Sequence, residues 1–104
     1  MSRKEEIKER IKELDGAKKH LTSLIKDLTE IYIRVAGLIN IINVKLEYLR
    51  TISPGVEHLR YYIDDLEEVK KQLERIIGRA HREIENIKHL KKGLIEEFKI
   101  LSRS

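Results

Sequence analysis

The sequence predicts an all-α chain: a long antiparallel helical hairpin of coiled-coil type, with a turn near Ser53–Gly55, assembling into a four-helix bundle. Three observations carry this. Apolar residues recur in alternating steps of four and three through almost the whole chain. The single proline falls where that rhythm slips. A third apolar column runs beside the two that a helix pair needs.

The first run is Ile7, Ile11, Leu14, Lys18, Leu21, Ile25, Leu28, Tyr32, Val35, Ile39, Ile42, Leu46 and Leu49, with Lys18 as its one charged member. It predicts a first helix over about 3–51. The steps pass through Asp15-Gly16 in phase, so the helix continues there. In "RTISPGVEHL" the register slips, because 46, 49, 52 and 56 contain two steps of three in succession. Ser53 followed by Pro54 reads as an N-cap with proline at the first helical position, where its missing N–H costs nothing. The second run, Val56, Leu59, Ile63, Leu66, Lys70, Leu73, Ile77, Ala80, Ile84, Ile87, Lys91, Leu94, Phe98 and Leu101, predicts a second helix over about 54–101. Each helix of some 48 residues would be roughly 70 Å long at 1.5 Å per residue. The 104 residues make one domain, 1–104.

In heptad letters the two runs occupy a and d. Leu24, Ile31 and Leu38 stand one residue before a in the first helix, at g. Tyr62, Val69, Ile76 and Leu90 do so in the second. A stripe three columns wide packs against more than one neighbour, so two hairpins are expected to associate. The predicted oligomer core is Ile25, Leu28, Tyr32, Val35, Ile39, Ile42, Leu66, Leu73, Ile77 and Ile84. The stretch "IYIRVAGLINIINV", residues 31–44, goes further, with Arg34 as its one charge. Ile33, Gly37, Ile41, Val44 and Tyr48 form a second stripe on b, c and f, with Tyr61 level with Tyr48. A contiguous outer stripe of this kind marks contact with another surface, either further copies of the chain or another helical protein.

Composition excludes several classes. With 38% charged and 40% hydrophobic residues the chain is folded rather than disordered. Without cysteine it has no disulfide or thiolate chemistry. Residues 31–44 are too short for a membrane span and are interrupted by Arg34, Asn40 and Asn43. "MSRKEEIKERIKEL" has no apolar leader segment, so a cytoplasmic protein is expected. Abundant Ile, Glu and Lys with a single Met suits a thermostable one.

The net charge of +4 is uneven: residues 1–20 carry +2, residues 79–104 carry +3 and residues 53–78 carry −2. The open end of the hairpin is therefore basic. Lys18, Lys19, Lys88, Lys91 and Lys92 are its candidate anion or nucleic-acid contacts, and a nucleic-acid-binding bundle is the alternative function. Interspersed Glu and the lack of aromatic or Gly interleaving weigh against it. Lys18 and Lys91 should lie level on the seam, where two ammonium groups repel, so both are expected to snorkel to solvent, unless carboxylates of a partner chain neutralise them or the basic end binds an anion; Lys70 should lie near Gly37, where Ala36-Gly37 makes room for its stem.

Catalytic patterning is absent. The five glycines are isolated rather than gathered in a phosphate loop, and no Ser-His-Asp set can be assigned. His81, Glu85 and His89 share one helix face at metal-compatible spacing, but i,i+4 charge pairing on a solvated face explains them as well. No enzyme activity, metal or cofactor is expected. The architecture is similar to that of small secreted hairpins with a central Trp-x-Gly, which Ser53-Pro54-Gly55 replaces here. It is also similar in topology to the Rop-type dimeric RNA-binding hairpin, whose helices are much shorter. The long first helix resembles that of the helical chorismate mutases, but only "IKELD", residues 11–15, matches their catalytic pattern. None of these implies a function for particular residues. A non-enzymatic, self-associating oligomerisation, scaffold or adaptor module is the function expected.

Overall fold

The structure is a computed structural model that describes residues 2–103. It is all-α, a helical hairpin of α1, Arg3–Arg50, and α2, Arg60–Arg103, joined through a 3-10 stretch, Pro54–Leu59. The start of α1 is fixed by Ser2. Its Oγ accepts the Glu5 N–H at 3.2 Å, and its carbonyl accepts the Glu6 N–H at 3.0 Å. Ser followed three residues later by Glu is the capping-box pattern, and acids in that first turn also suit the helix dipole. No residue has positive φ at Asp15-Gly16 or elsewhere among the described residues, so α1 runs through unbroken, as the phase of the heptads requires.

The connection begins where α1 loses its apolar rhythm. The N–H groups of Ile52 and Ser53 both return to the Leu49 carbonyl, at 3.0 and 2.8 Å. Arg50 spans the turn: Nη1 donates to Glu47 Oε1 at 2.6 Å and Nη2 to Glu57 Oε2 at 3.3 Å. Its Nε lies 2.6 Å from Glu57 Oε1 without pointing along a hydrogen bond, so that contact is coulombic.

Ser53 is extended, at φ −142° and ψ 110°, with Pro54 first in the helical stretch, as expected. Two expectations are corrected here. The Ser53 side chain makes no capping bond. The Val56 N–H it would have served already goes to the Ser53 carbonyl at 3.4 Å, the i to i+3 bond of a 3-10 turn. The second α-helix therefore starts at Arg60 rather than near 54, and it runs to Arg103.

The described residues group into two compact units, each drawing on both helices: residues 2–25 with 78–103, and residues 26–77. In the first unit the seam buries Ile7, Leu14, Ala80, Ile84 and Ile87. In the second it buries Ile39, Leu46, Ile63 and Leu73; Val35, Ile42, Val56, Leu59 and Leu66 pack against the Ile39–Leu46–Ile63 cluster. These are a and d residues throughout. Leu49 alone in the two runs is exposed, because it is the last one before the turn.

Candidate interaction surfaces

The residues expected to form an oligomer core are used first within the chain. Ile39, Leu73 and Ile84 are buried, and Ile25, Leu28, Tyr32, Val35, Ile42, Leu66 and Ile77 are half-buried along the seam between α1 and α2. Beside the seam, the g column stays exposed.

In an antiparallel pair the g columns of both helices flank one side of the seam and the e columns flank the other. The first unit shows this directly: Arg3 and Glu97, both at g, pair through Nε–Oε1 at 2.7 Å and Nη2–Oε2 at 3.0 Å. The Arg3 guanidinium pulls the Glu97 carboxyl below its ordinary pKa, mainly through that hydrogen bond. In the 26–77 unit the same columns hold Ile31 and Leu38 on α1 and Tyr62, Val69 and Ile76 on α2, each 42–62% exposed. Lys45 is the only charge among them. The opposite flank is polar, with Asn43, Arg60, Glu67 and Glu74. There the Tyr32 hydroxyl donates to Glu74 Oε1 at 2.8 Å. That bond raises the phenol above its ordinary pKa, because the carboxylate stabilises the protonated form.

Lys70 departs from its expected position. Its Nζ lies 5.6 Å from the centre of the Tyr32 ring rather than at Gly37, so the ammonium leaves the seam over an aromatic face. Lys91 leaves the seam for a carboxylate of its own chain rather than a partner's. Lys91 Nζ donates to Asp15 Oδ1 at 2.7 Å, about one turn away from Lys18. The long lysine stem reaches an e-position carboxylate and keeps its charge off the seam.

The outer stripe of α1 is in water: Ile33, Ile41, Val44 and Tyr48 are 54–71% exposed and Gly37 is exposed, as is Tyr61 on α2 at 73%. An open groove of about 270 Å³, lined by Asn40, Ile41, Val44 and Lys45, runs along it. In the first unit a groove of about 260 Å³ is lined by Lys8, Ile11, Ile95, Phe98 and Lys99, with Lys8 Nζ 5.6 Å above the Phe98 ring.

Of the five candidate anion contacts at the basic end, two are engaged by carboxylates of the same chain: Lys91 by Asp15, and Lys88 by Glu85 at 3.1 Å. Glu85 thus belongs to an i,i+3 pair on a solvated face. Among the described residues no group of three or more His, Asp or Glu is placed to hold a metal ion, His81, Glu85 and His89 included. Among the same residues no helix is long and apolar enough to cross a membrane. No family model, curated protein or solved structure matches this chain.

Sequence reasoning missed Ser2 as a cap, the Arg3–Glu97 pair and the Asp15–Lys91 pair. The Ser-x-x-Glu spacing could have found the first. The pairs needed the register between helices, which apolar spacing fixes only to within a turn.

Proposed function

We propose that the chain is a non-enzymatic oligomerisation module, and that two copies close an antiparallel four-helix bundle through their g faces. The observation that carries this is the exposed face of Ile31, Leu38, Tyr62, Val69 and Ile76, set against the polar e flank of the same pair. One apolar flank and one polar flank are what a two-layer bundle needs and a solitary hairpin does not.

Surface area supports the reading. The chain exposes 8,069 Å². A folded monomer of this mass exposes about 6,100 Å². The excess of about 2,000 Å² is of the order that homodimer interfaces bury. Burying the g face excludes water from the half-buried seam residues as well, which stabilises both hairpins at once.

Light scattering at micromolar concentration tests the proposal. The expected mass is twice 12.3 kDa, falling to the single-chain value in Leu38→Lys with Ile76→Lys while helicity by circular dichroism is kept. A well-folded wild-type monomer would refute it.

A further inference from the structure

A dimer through the g faces leaves the outer stripe of α1 in water, because b, c and f point away from the seam. Two basic side chains, Arg34 and Lys45, border the stripe between Ile33 and Val44, and neither makes an ion pair among the described residues. On the outward face of α2, in the same unit, exposed Tyr61 is followed within two turns by Asp64, Asp65 and Glu68. None of these three carboxylates makes an ion pair there either. One chain thus carries an apolar stripe bordered by two basic side chains and an acidic helix face with a protruding tyrosine. Two patches of opposite charge, each without a partner in its own chain, complement each other between copies.

We infer that α2 of a further copy lies antiparallel along the outer stripe of α1, with Tyr61 in the groove at Ile41 and Val44. The spacing supports this register. Antiparallel helices advance in opposite directions at the same rise. With Tyr61 level with Ile41, at the near edge of the groove, Glu68 falls opposite Arg34 two turns away. Asp65 falls opposite Gly37, where an added Cβ would meet nothing within 4 Å and the incoming helix can come close. The contact joins two different patches, so it is heterologous and links dimers into larger assemblies instead of closing on itself. It draws on the dimer reading only for what the links connect.

Sedimentation velocity of the full chain over a concentration series tests it, with circular dichroism confirming the fold of each variant. The wild type is expected to pass beyond the two-copy mass as concentration rises. A variant with Arg34→Glu, which leaves the g face untouched, is expected to stop there. A second, with Asp64→Lys, Asp65→Lys and Glu68→Lys, is expected to stop there too. Mixed in equal amounts, the two should regain the larger species, because the reversed charge on the stripe of one meets the reversed charges on the helix face of the other. Tyr61→Lys should lose them. A wild type that never exceeds two copies overturns the inference and leaves the dimer standing. A mixture no larger than either variant alone also overturns it, and assigns the stripe to a different partner. Leu38→Lys, which touches only the g face, separates failure of the dimer from failure of the link.

Discussion

Gly37 and Gly93 separate the stability of the hairpin from the proposed assembly. Both are exposed positions inside helices, both have negative φ, and a Cβ at either would meet nothing within 4 Å. Alanine therefore adds no clash and removes the backbone-entropy and propensity cost of a helical glycine, about 0.8–1 kcal/mol. For a chain of this length 1 kcal/mol corresponds to about 4–8 °C in Tm. Gly93→Ala should give that increase at every protein concentration. Gly37→Ala should give the same increase in dilute solution, yet weaken the larger species, because the new methyl group stands where the neighbouring helix comes closest. Thermal melts by circular dichroism at low micromolar concentration, paired with sedimentation velocity at high concentration, read the two effects separately. A fall in Tm for Gly93→Ala would refute the open-space argument. A Gly37→Ala protein whose larger species form as readily as those of the wild type would remove the close approach.

Other consequences follow from the polar contacts. Tyr32 is held above its ordinary pKa by its bond to Glu74, so the fold retains that proton more strongly than the unfolded chain does. The stability it contributes is complete below about pH 10 and is lost as pH rises through the folded value. Ultraviolet titration should show a late-ionising phenol that Tyr32→Phe removes, and Tyr32→Phe should flatten the alkaline fall in Tm; a late phase unchanged in Tyr32→Phe would refute it. Glu97 has the opposite sign, since Arg3 lowers its pKa. Its contribution is present above the ordinary glutamate range and lost as pH falls through the folded value, so Arg3→Gln should reduce the acid sensitivity of Tm. Asp15 and Lys91 have side chains 50% and 35% exposed. Solvent screening keeps such a pair below about 1 kcal/mol. Asp15→Asn should lower stability by no more than that and reduce its dependence on salt, measured by urea melts at low and high ionic strength. A loss several times larger would mean that Lys91 is driven back against Lys18.

Much of the hairpin was legible because burial is what apolar spacing reports. Every a and d residue from Ile7 to Leu46 and from Val56 to Leu101 is buried or half-buried, including the lysines at 18, 70 and 91. The helix ends were less legible. At Ser53-Pro54 the sequence permits either a side-chain cap on an α-turn or a carbonyl-held 3-10 turn, and the choice rests on one N–H, that of Val56. Polar pairing was least legible. Level arithmetic set Lys18 against Lys91, whereas a lysine stem spans more than a turn and takes the best acceptor in reach, here Asp15. The g column could be read from sequence as apolar. That it stays in water while the e flank carries the polar contacts required the paired helices.

The two helices differ in a way that intrachain packing does not explain. Outward positions of α2 in the 26–77 unit are mostly charged or polar, whereas α1 from Ile31 to Tyr48 is apolar at most g, c and f positions as well as on a and d, Arg34 and Lys45 excepted. A helix that packed only against one partner would need a single stripe. Fully burying an Ile, Leu or Val side chain contributes about 1.5–3 kcal/mol, and each g-face residue leaves roughly half of itself wet. The five of them thus withhold on the order of 1 kcal/mol each. That sum is comparable with the whole stability of a small domain, about 5–15 kcal/mol. Four further side chains on the outer stripe withhold a similar share. Among the described residues the seam fully buries one large side chain, Ile7, so much apolar surface, most of it on α1, is left for the proposed assembly to bury.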